Sequence, residues 1–266
     1  MPFGIINAGT TFQRAMDIAF RGLINIWLVV YMDDITMYSY HKRNHIYPLK
    51  QIFERFQRYE ISLNPKKRIF AITKGNLLGH ILSREGIFIH PKRIETIMRI
   101  QAPANKRALQ SFFRKINFVR KFVSSFGEIV CPMQLMMKKD VVYRWSNEAK
   151  KLFQWIKEAI TKVLALVNPN FNKQFLSYTF TSDASYATIL TQKNDDGNEV
   201  PISYMSPNLL EAKLNYPGVE KQGFAVCKAV KSFHPYLLKA RTKVIVPHPT
   251  LRSIFMQKQM GEWRGN

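Results

Sequence analysis

The amino-acid sequence predicts a multidomain α+β protein. Three observations support this fold class: two apolar runs joined by adjacent aspartates over residues 26–38, a helix-rich middle over residues 91–126, and strands followed by a long helix over residues 175–236. The length of 266 residues allows two or more domains with cores of their own. The apolar content of 46% is ordinary for a globular protein, so the chain can fill such cores.

The first part of the chain alternates between helical and strand patterns. Apolar residues at helical spacing predict a helix from Ala8 to Gly22 and another from His45 to Tyr59. Between these helices, β-branched and aromatic residues on both sides of the acidic pair predict a β-hairpin over residues 26–38. Short strands are expected at Ile69–Ile72 and Asn76–Leu82, separated by a turn.

The middle of the chain is predicted to be helical. Pro91 stands in the favoured first-turn position of a helix that reaches the break at residues 102–103. Residues 104–126 predict one or two further helices. Ser146 is the expected N-cap of a helix from Asn147 to about Val163.

From residue 174 the pattern changes to strands. They are predicted at Phe175–Thr181, Ala187–Gln192 and Val200–Met205, followed by a helix from Tyr216 to Tyr236 and a strand at Lys243–Val246. Ten apolar positions are expected in the core of this part: Phe175, Leu176, Ile189, Leu190, Ile202, Phe224, Ala225, Val230, Leu237 and Val244.

Positive charge is concentrated in one stretch. The chain has 40 Lys and Arg against 18 Asp and Glu, a net charge of +22. Nineteen Lys or Arg and four Asp or Glu lie between Lys42 and Lys121, a stretch called here the basic tract. A solvated basic face over an aromatic core is one interpretation. So many like charges repel each other unless phosphates neutralise them, which favours nucleic acid as the partner.

The sequence also indicates a compartment. No run of about 18 apolar residues occurs, so neither a transmembrane helix nor a membrane partner is expected. The N-terminus lacks the charged-then-apolar pattern of a secretory signal. Cys131 and Cys227 match no zinc or redox spacing. We therefore expect an intracellular protein, in the cytoplasm or the nucleus, that is not secreted.

Asp33 and Asp34 are candidate ligands of a cation. Two acids at the tip of a hairpin repel each other, and a purely structural turn more often contains Asn-Gly or Asp-Gly. Carboxylate oxygens suit Mg²⁺, which binds through one or two carboxylates plus substrate phosphates. A solvated acidic turn is the alternative, because so short a motif often occurs by chance.

Three motifs in order then resemble a known family. Tyr31-Met32-Asp33-Asp34 matches the polymerase box of reverse transcriptases. The segment before it, residues 1–13, resembles the one that precedes this box in gypsy-type LTR retrotransposons. Leu78-Gly79-His80-Ile81 and residues 83–87 resemble the next landmarks. The chain thus looks like a fragment of a gypsy-type reverse transcriptase/ribonuclease H polyprotein.

The resemblance implies a domain order and a set of ligands. It implies a partial reverse-transcriptase palm at 1–89 without the fingers and first palm strand, a helical thumb at 90–142, a connection at 143–174, and an incomplete ribonuclease H-like α/β domain at 175–266, truncated at its C-terminus. The family's partners are RNA/DNA template–primer and dNTPs. Its cofactor is Mg²⁺ (or Mn²⁺). His80 has no partner at ligand spacing and is interpreted as structural.

The resemblance also assigns polymerase site residues. Asp33 and Asp34 correspond to two of the family's three catalytic, metal-binding aspartates. Phe3 and Gly4 would lie beside the incoming dNTP, and Gln13 would support the template side. The third aspartate belongs to a palm strand that precedes residue 1, so this chain alone is expected to be inactive unless a further N-terminal polypeptide supplies it.

The ribonuclease H-like domain is expected to be degenerate. Residues 181–185 match the family's first catalytic strand, which implies that Asp183 is a metal ligand. The family's helical glutamate corresponds to Gln222, and the aspartate after the next strand corresponds to Pro247. With two of three ligands lost, we expect the fold to persist without cleavage of RNA–DNA hybrids.

Three functional hypotheses follow. The first is a fragment of a retrotransposon RNA-directed DNA polymerase that binds template–primer and carries a degenerate ribonuclease H-like domain. The alternative is a non-catalytic nucleic-acid-binding relic of a retroelement. A basic protein-interaction module is the third, and no specific feature of the sequence favours it.

Overall fold

The chain folds into two compact units, which comprise residues 1–72 and 73–266 in a computed structural model. The structure describes residues 6–39, 44–162, 165–209 and 211–256. Phe3 and Gly4 therefore lie outside the described residues. Helices and antiparallel sheets are mixed along the chain, which confirms the predicted α+β class.

The first unit packs two helices against one hairpin. Its elements are α1 (Ala8–Ala19), β1 (Leu28–Tyr31), β2 (Asp34–Met37), α2 (Ile46–Arg58) and a 3₁₀ turn (Pro65–Lys67). The predicted hairpin is confirmed, with Leu28 opposite Met37 and Tyr31 opposite Asp34. The core of the unit consists of Met16, Ala19, Phe20, Leu23, Leu28, Ile52 and Phe56.

The predicted strand at Ile69–Ile72 is wrong. The side chains of Ile69 and Ile72 are 73% and 53% exposed, and no strand pairs with this segment among the described residues. Ala71 has a φ of +53°, a left-handed conformation that interrupts an extended run. β-propensity reflects packing on a sheet surface, so without a pairing partner it does not produce a strand.

The second unit begins with a three-stranded antiparallel sheet. Its strands are β3 (Gly75–Leu77), β4 (His80–Leu82) and β5 (Ile87–Ile89). The single strand predicted at Asn76–Leu82 is thus divided by a turn at Leu78 and Gly79, with φ values of +50° and +78°. Gly79 is suited to this turn because it tolerates positive φ and because a Cβ there would meet the Arg93 guanidinium at 2.9 Å.

Helices follow this sheet and enclose the largest core. They are α3 (Pro91–Met98), α4 (Lys106–Ile116), a 3₁₀ segment (Asn117–Phe122), α5 (Phe126–Leu135) and α6 (Asn147–Thr161). Ser146 caps α6 as predicted, since its hydroxyl accepts a hydrogen bond from the Ala149 amide at 3.2 Å. The most buried members of the core are Ile97, Leu109, Phe112, Ile116, Val119, Val130, Met133, Ile156 and Ile160.

The last part of the chain is a four-stranded sheet covered by a long helix. The strands are β6 (Phe175–Thr181), β7 (Tyr186–Lys193), β8 (Glu199–Met205) and β9 (Thr242–Ile245), in the order β8-β7-β6-β9, with β9 parallel to β6. The helices are α7 (Glu211–Leu214), α8 (Gly218–Leu237) and α9 (Pro249–Met256).

Two of the ten core positions predicted for this part are wrong. Val230 and Val244 are 42% and 40% exposed. Ala229 and Phe233 on α8 bury their side chains in the core instead, and the adjacent Val230 falls on the outer side of the helix. Within the residues the structure describes, no helix combines the length and the apolar character needed to cross a membrane.

Candidate functional site

The hairpin of the first unit presents both aspartates to solvent. Tyr31 pairs with Asp34, so Met32 and Asp33 form the two-residue turn and Asp34 is the first residue of β2. Met32 has a φ of +52°, as tight hairpin turns require. Both carboxylates are exposed, and among the described residues neither has a hydrogen-bond or ion-pair partner. Their oxygens are therefore available to an external cation.

Gln13 of α1 holds the backbone of this turn. Its Oε1 accepts a hydrogen bond from the Met32 amide at 2.8 Å, and its Nε2 donates to the Val30 carbonyl at 3.3 Å. The same Nε2 donates to a carboxylate oxygen of Asp17 at 3.1 Å, which fixes the orientation of the amide. The structure therefore brings Gln13 to the acidic turn, bonded to main-chain atoms on both sides of Tyr31.

The two aspartates fit only part of a metal site. Within the described ranges, no three His, Cys, Asp or Glu side chains form a group that could hold a metal ion. Mg²⁺ commonly takes one or two carboxylates and completes its shell with water and substrate phosphates. Asp33 and Asp34 meet that smaller requirement, since they are adjacent and exposed and their carboxylates have no partner in the part of the chain that the structure describes.

The C-terminal sheet places Asp183 differently. Its side chain is exposed in the turn between β6 and β7. The ammonium group of Lys221, a residue that is only 8% exposed, donates to the Asp183 carbonyl oxygen at 3.1 Å. A fixed positive charge therefore lies beside the residue predicted to bind a metal. The contact between Lys221 and Asp183 was not predicted from the sequence, although Lys221 directly precedes Gln222, the residue at the expected ligand position.

Gln222 is fully engaged inside the protein. It is 2% exposed, and its Nε2 donates to both the carbonyl oxygen and Oγ1 of Thr179, each at 2.7 Å. Its Oε1 accepts from the Thr181 hydroxyl at 3.1 Å. The amide thus joins α8 to β6, and its oxygen is neutral and already accepts a hydrogen bond.

Pro247 lies just beyond a short strand. β9 ends at Ile245, opposite Tyr178, whereas β6 continues for three more residues to Thr181. Pro247 is exposed and has no amide hydrogen to extend the ladder. The structure thus does not bring acidic side chains together around Asp183, Gln222 and Pro247, and these residues do not fit a divalent metal centre.

His80 is part of an aromatic stack and not of a metal group. Its ring lies 4.0 Å from that of Phe118 and 5.6 Å from that of Phe122. The Arg93 guanidinium lies over the Phe118 ring, 3.7 Å from its centroid. Burial, followed by the charges of Lys121 and Arg93, lowers the pKa of His80 to about 4, so the imidazole is neutral at pH 7.

Two protein families match separate parts of the chain. Residues 1–82 match the family "Reverse transcriptase (RNA-dependent DNA polymerase)", and residues 145–245 match the "RNase H-like domain found in reverse transcriptase". These families generally use divalent metal ions.

The related sequences are polyproteins. The chain is 31% identical over 273 residues to a retrovirus-related Pol polyprotein from transposon 297 of Drosophila melanogaster, matching 99% of this chain and 25% of that protein. It is 27% identical to the transposon Tf2-3 polyprotein of Schizosaccharomyces pombe, over 89% of this chain and 18% of that protein. The chain therefore spans a quarter or less of these relatives.

Solved structures share the fold. A foamy viral protease-reverse transcriptase in complex with double-stranded DNA aligns with a TM-score of 0.80 at 20% identity, covering 97% of this chain and 45% of that one. The foamy viral enzyme in complex with an RNA/DNA hybrid aligns with a TM-score of 0.77 at 20% identity, covering 96% and 34%. In sequence the chain is thus similar to the reverse-transcriptase and RNase H-like families and to retrotransposon polyproteins, and it shares its fold with the foamy viral structures.

Proposed function

We propose that the chain is part of the RNA-directed DNA polymerase of a gypsy-type LTR retrotransposon. In this proposal residues 1–89 belong to the palm, 90–142 to the thumb, 143–174 to the connection and 175–266 to a degenerate ribonuclease H-like domain. The observation that carries the proposal is the hairpin at whose turn the Asp33 and Asp34 carboxylates are exposed and have no hydrogen-bond or ion-pair partner among the described residues. A purely structural turn would not be expected to present two adjacent, uncompensated carboxylates.

The ligands proposed are RNA/DNA template–primer and dNTPs. The basic tract supplies the positive charge for phosphate contacts, and foamy viral relatives of the fold were solved with duplex DNA and with a hybrid. Binding through phosphates depends little on base sequence and weakens steeply as salt rises. We place this activity inside the cell, in the cytoplasm or the nucleus, in keeping with two cysteines that are free.

Asp33 and Asp34 would hold Mg²⁺ (or Mn²⁺), which supplies charge neutralisation for phosphoryl transfer when it is bound. The chain's own residues keep those two carboxylates exposed and side by side. Gln13 fixes the turn through the Met32 amide and the Val30 carbonyl, so less conformational freedom is lost when a ligand binds. By the resemblance, Phe3 and Gly4 would contact the dNTP.

A metal-footprinting experiment tests the proposed site. Fe²⁺ with ascorbate and peroxide replaces Mg²⁺ and cuts the polypeptide beside the bound ion. We expect template–primer and dNTP to direct cutting to residues near 31–34, and we expect Mg²⁺ to compete. The double variant Asp33→Asn/Asp34→Asn should lose the cut, whereas Asp195→Asn, which changes an exposed acid elsewhere, should retain it. Cutting that persists in the double variant would reject these ligands.

One observation favours a non-catalytic role for the ribonuclease H-like part. The Gln222 amide is hydrogen-bonded to Thr179 and Thr181, and the Lys221 ammonium group lies beside Asp183. The second candidate function is therefore binding of nucleic acid without chemistry. Mg²⁺-dependent cutting of a labelled hybrid, abolished by Asp183→Asn, would exclude this candidate. Binding of the hybrid without cutting it, together with no metal-directed cut of the polypeptide near residues 31–34, would favour this candidate over the polymerase proposal.

A further inference from the structure

Two lysines lie close to one aromatic ring in the C-terminal part of the chain. The Nζ atoms of Lys213 on α7 and Lys228 on α8 are 4.0 Å and 5.4 Å from the centroid of the Phe224 ring. Phe224 in turn packs edge-to-face against Tyr186 at 5.6 Å. Because Tyr186 is buried, the ring is a fixed platform for the two ammonium groups.

Lys221 extends this charge toward the end of the sheet. Residues 221, 224 and 228 have the i, i+3, i+7 spacing of one helical face. The Lys221 side chain is buried, and its single hydrogen bond to the Asp183 carbonyl uses one of three N–H donors. The positive charge is thus fixed at the place where the family resemblance expects metal ligands.

Among the residues that the structure describes, no carboxylate oxygen lies within 4.0 Å of the ammonium groups of Lys213, Lys221 and Lys228. Between Glu211 and Lys243 there are seven Lys or Arg and only two Glu. By contrast, Lys173 forms an ion pair with Asp195 at 2.5 Å. Like charges held close together raise the free energy unless an external anion neutralises them.

We propose that Lys213 and Lys228, with the buried charge of Lys221 nearby on the same face of α8, form a phosphate-binding surface through which the RNase H-like domain holds a nucleic-acid duplex without a metal ion. The inference rests on the proposed function, because it takes template–primer as the ligand and names its contact on this domain. Lysine suits the task as a point charge for phosphate, and contact with Phe224 limits the side-chain freedom that binding would remove. Gln222, neutral and internally bonded, leaves this positive surface uncompensated.

The test measures binding of a fluorescent RNA–DNA hybrid to the whole chain at several salt concentrations, with EDTA or with Mg²⁺. The variant Lys213→Met/Lys228→Met is compared with Lys173→Met/Lys193→Met, which removes the same charge at two lysines outside this surface. We expect EDTA to leave wild-type affinity unchanged. We expect the first variant to lower the slope of log K against log[salt] by about two, and the control to leave it unchanged.

A second measurement uses the unmodified chain, so it is independent of any effect on folding. Brief acetylation followed by mass spectrometry should show that the hybrid protects Lys213 and Lys228 but not Lys193. Equal slope changes in both variants, or equal acetylation of Lys213 and Lys193 with hybrid bound, would overturn this inference alone. If the unmodified chain fails to bind the hybrid at low salt, both the inference and the proposed function fail.

Discussion

The acidic hairpin and the sheet end beside Asp183 are two places where the family resemblance expects metal ligands, and a glutamine has opposite effects in them. At the hairpin, Gln13 bonds main-chain atoms and leaves the Asp33 and Asp34 carboxylates exposed. At the sheet end, Gln222 bonds Thr179 and Thr181 and fills the ligand position itself. The amide of Gln13 therefore supports an open acidic site, because it bonds the main chain next to the carboxylates. The amide of Gln222 closes the other site, because it occupies the position of a ligand.

Replacing the buried amide should have the largest effect. Gln222→Glu places a carboxylate oxygen against the Thr179 carbonyl, where an N–H donor now lies at 2.7 Å. We expect unfolding free energy to fall by about 3 kcal/mol, because a buried hydrogen bond becomes a repulsive contact. Urea unfolding measures this change. Glu220→Gln, on an exposed position of the same helix, is the control and should change stability by less than about 0.5 kcal/mol.

The same variant tests whether the site can be reopened. Gln222→Glu should not restore hybrid cleavage, since Pro247 still replaces the next acid and Lys221 remains beside Asp183. Mg²⁺-dependent cleavage by the single variant would show that another residue completes the site, and the comparison with the hairpin would then fail.

Removing Gln13 should loosen the hairpin. Gln13→Leu deletes the hydrogen bonds to the Met32 amide, which is exposed, and to the Val30 carbonyl, which is half-buried. We expect the free energy of unfolding to fall by about 1–2 kcal/mol. Amide exchange at Met32 should become faster because its N–H loses its acceptor. Asp17→Asn keeps an acceptor for the Gln13 Nε2 and should have a smaller effect. Unchanged exchange at Met32 in Gln13→Leu would remove the supporting role given to Gln13.

Acid should weaken the second unit through His80. The folded state lowers its pKa from 6.5 to about 4, chiefly by burial and also through Lys121 and Arg93. As pH falls, the unfolded chain therefore gains this proton first. The contribution of His80 to the free energy of unfolding is fully present above pH 6.5 and is lost as pH falls toward 4. Urea unfolding at several pH values should show this loss, and His80→Phe, which keeps an aromatic ring beside Phe118, should show less of it.

Changes to the exposed carboxylates should have the smallest effect on stability. Asp33→Asn and Asp34→Asn remove no hydrogen bond or ion pair to the described residues, so each should alter unfolding free energy by less than about 0.5 kcal/mol. Because each substitution relieves the mutual repulsion of the two carboxylates, we expect a slight gain in stability. A loss above 1 kcal/mol in thermal or urea unfolding would contradict an open, ligand-free role for this turn.

Local patterns predicted much of the fold. The bounds of β6, the cap at Ser146 and the presence of the hairpin depend on residues near each other in sequence, where side-chain period and turn geometry decide. The contacts that were not predicted join residues that are far apart in the sequence. Gln13 meets Val30 and Met32 from 17 and 19 positions away, and Gln222 meets Thr179 from 43. No spacing rule anticipates such contacts.

Composition also concealed one element. Helix α5 was not predicted, because most of Phe126–Leu135 is apolar and Pro132 lies inside it, so no amphipathic period is visible. The strand expected at Ile69–Ile72 failed for the opposite reason. Its residues suit a sheet, but the described part of the chain provides no neighbouring strand.

The early end of β9 has a consequence for self-association. A sheet edge with unused carbonyl and amide groups can recruit a strand from another molecule and start aggregation. β6 extends three residues beyond its pairing with β9, from Thr179 to Thr181. The Thr179 carbonyl already accepts from Gln222, and Pro247 offers no N–H to an incoming chain. This stretch of edge is thereby blunted, so the glutamine that closes the acidic site also protects the domain against edge-to-edge assembly.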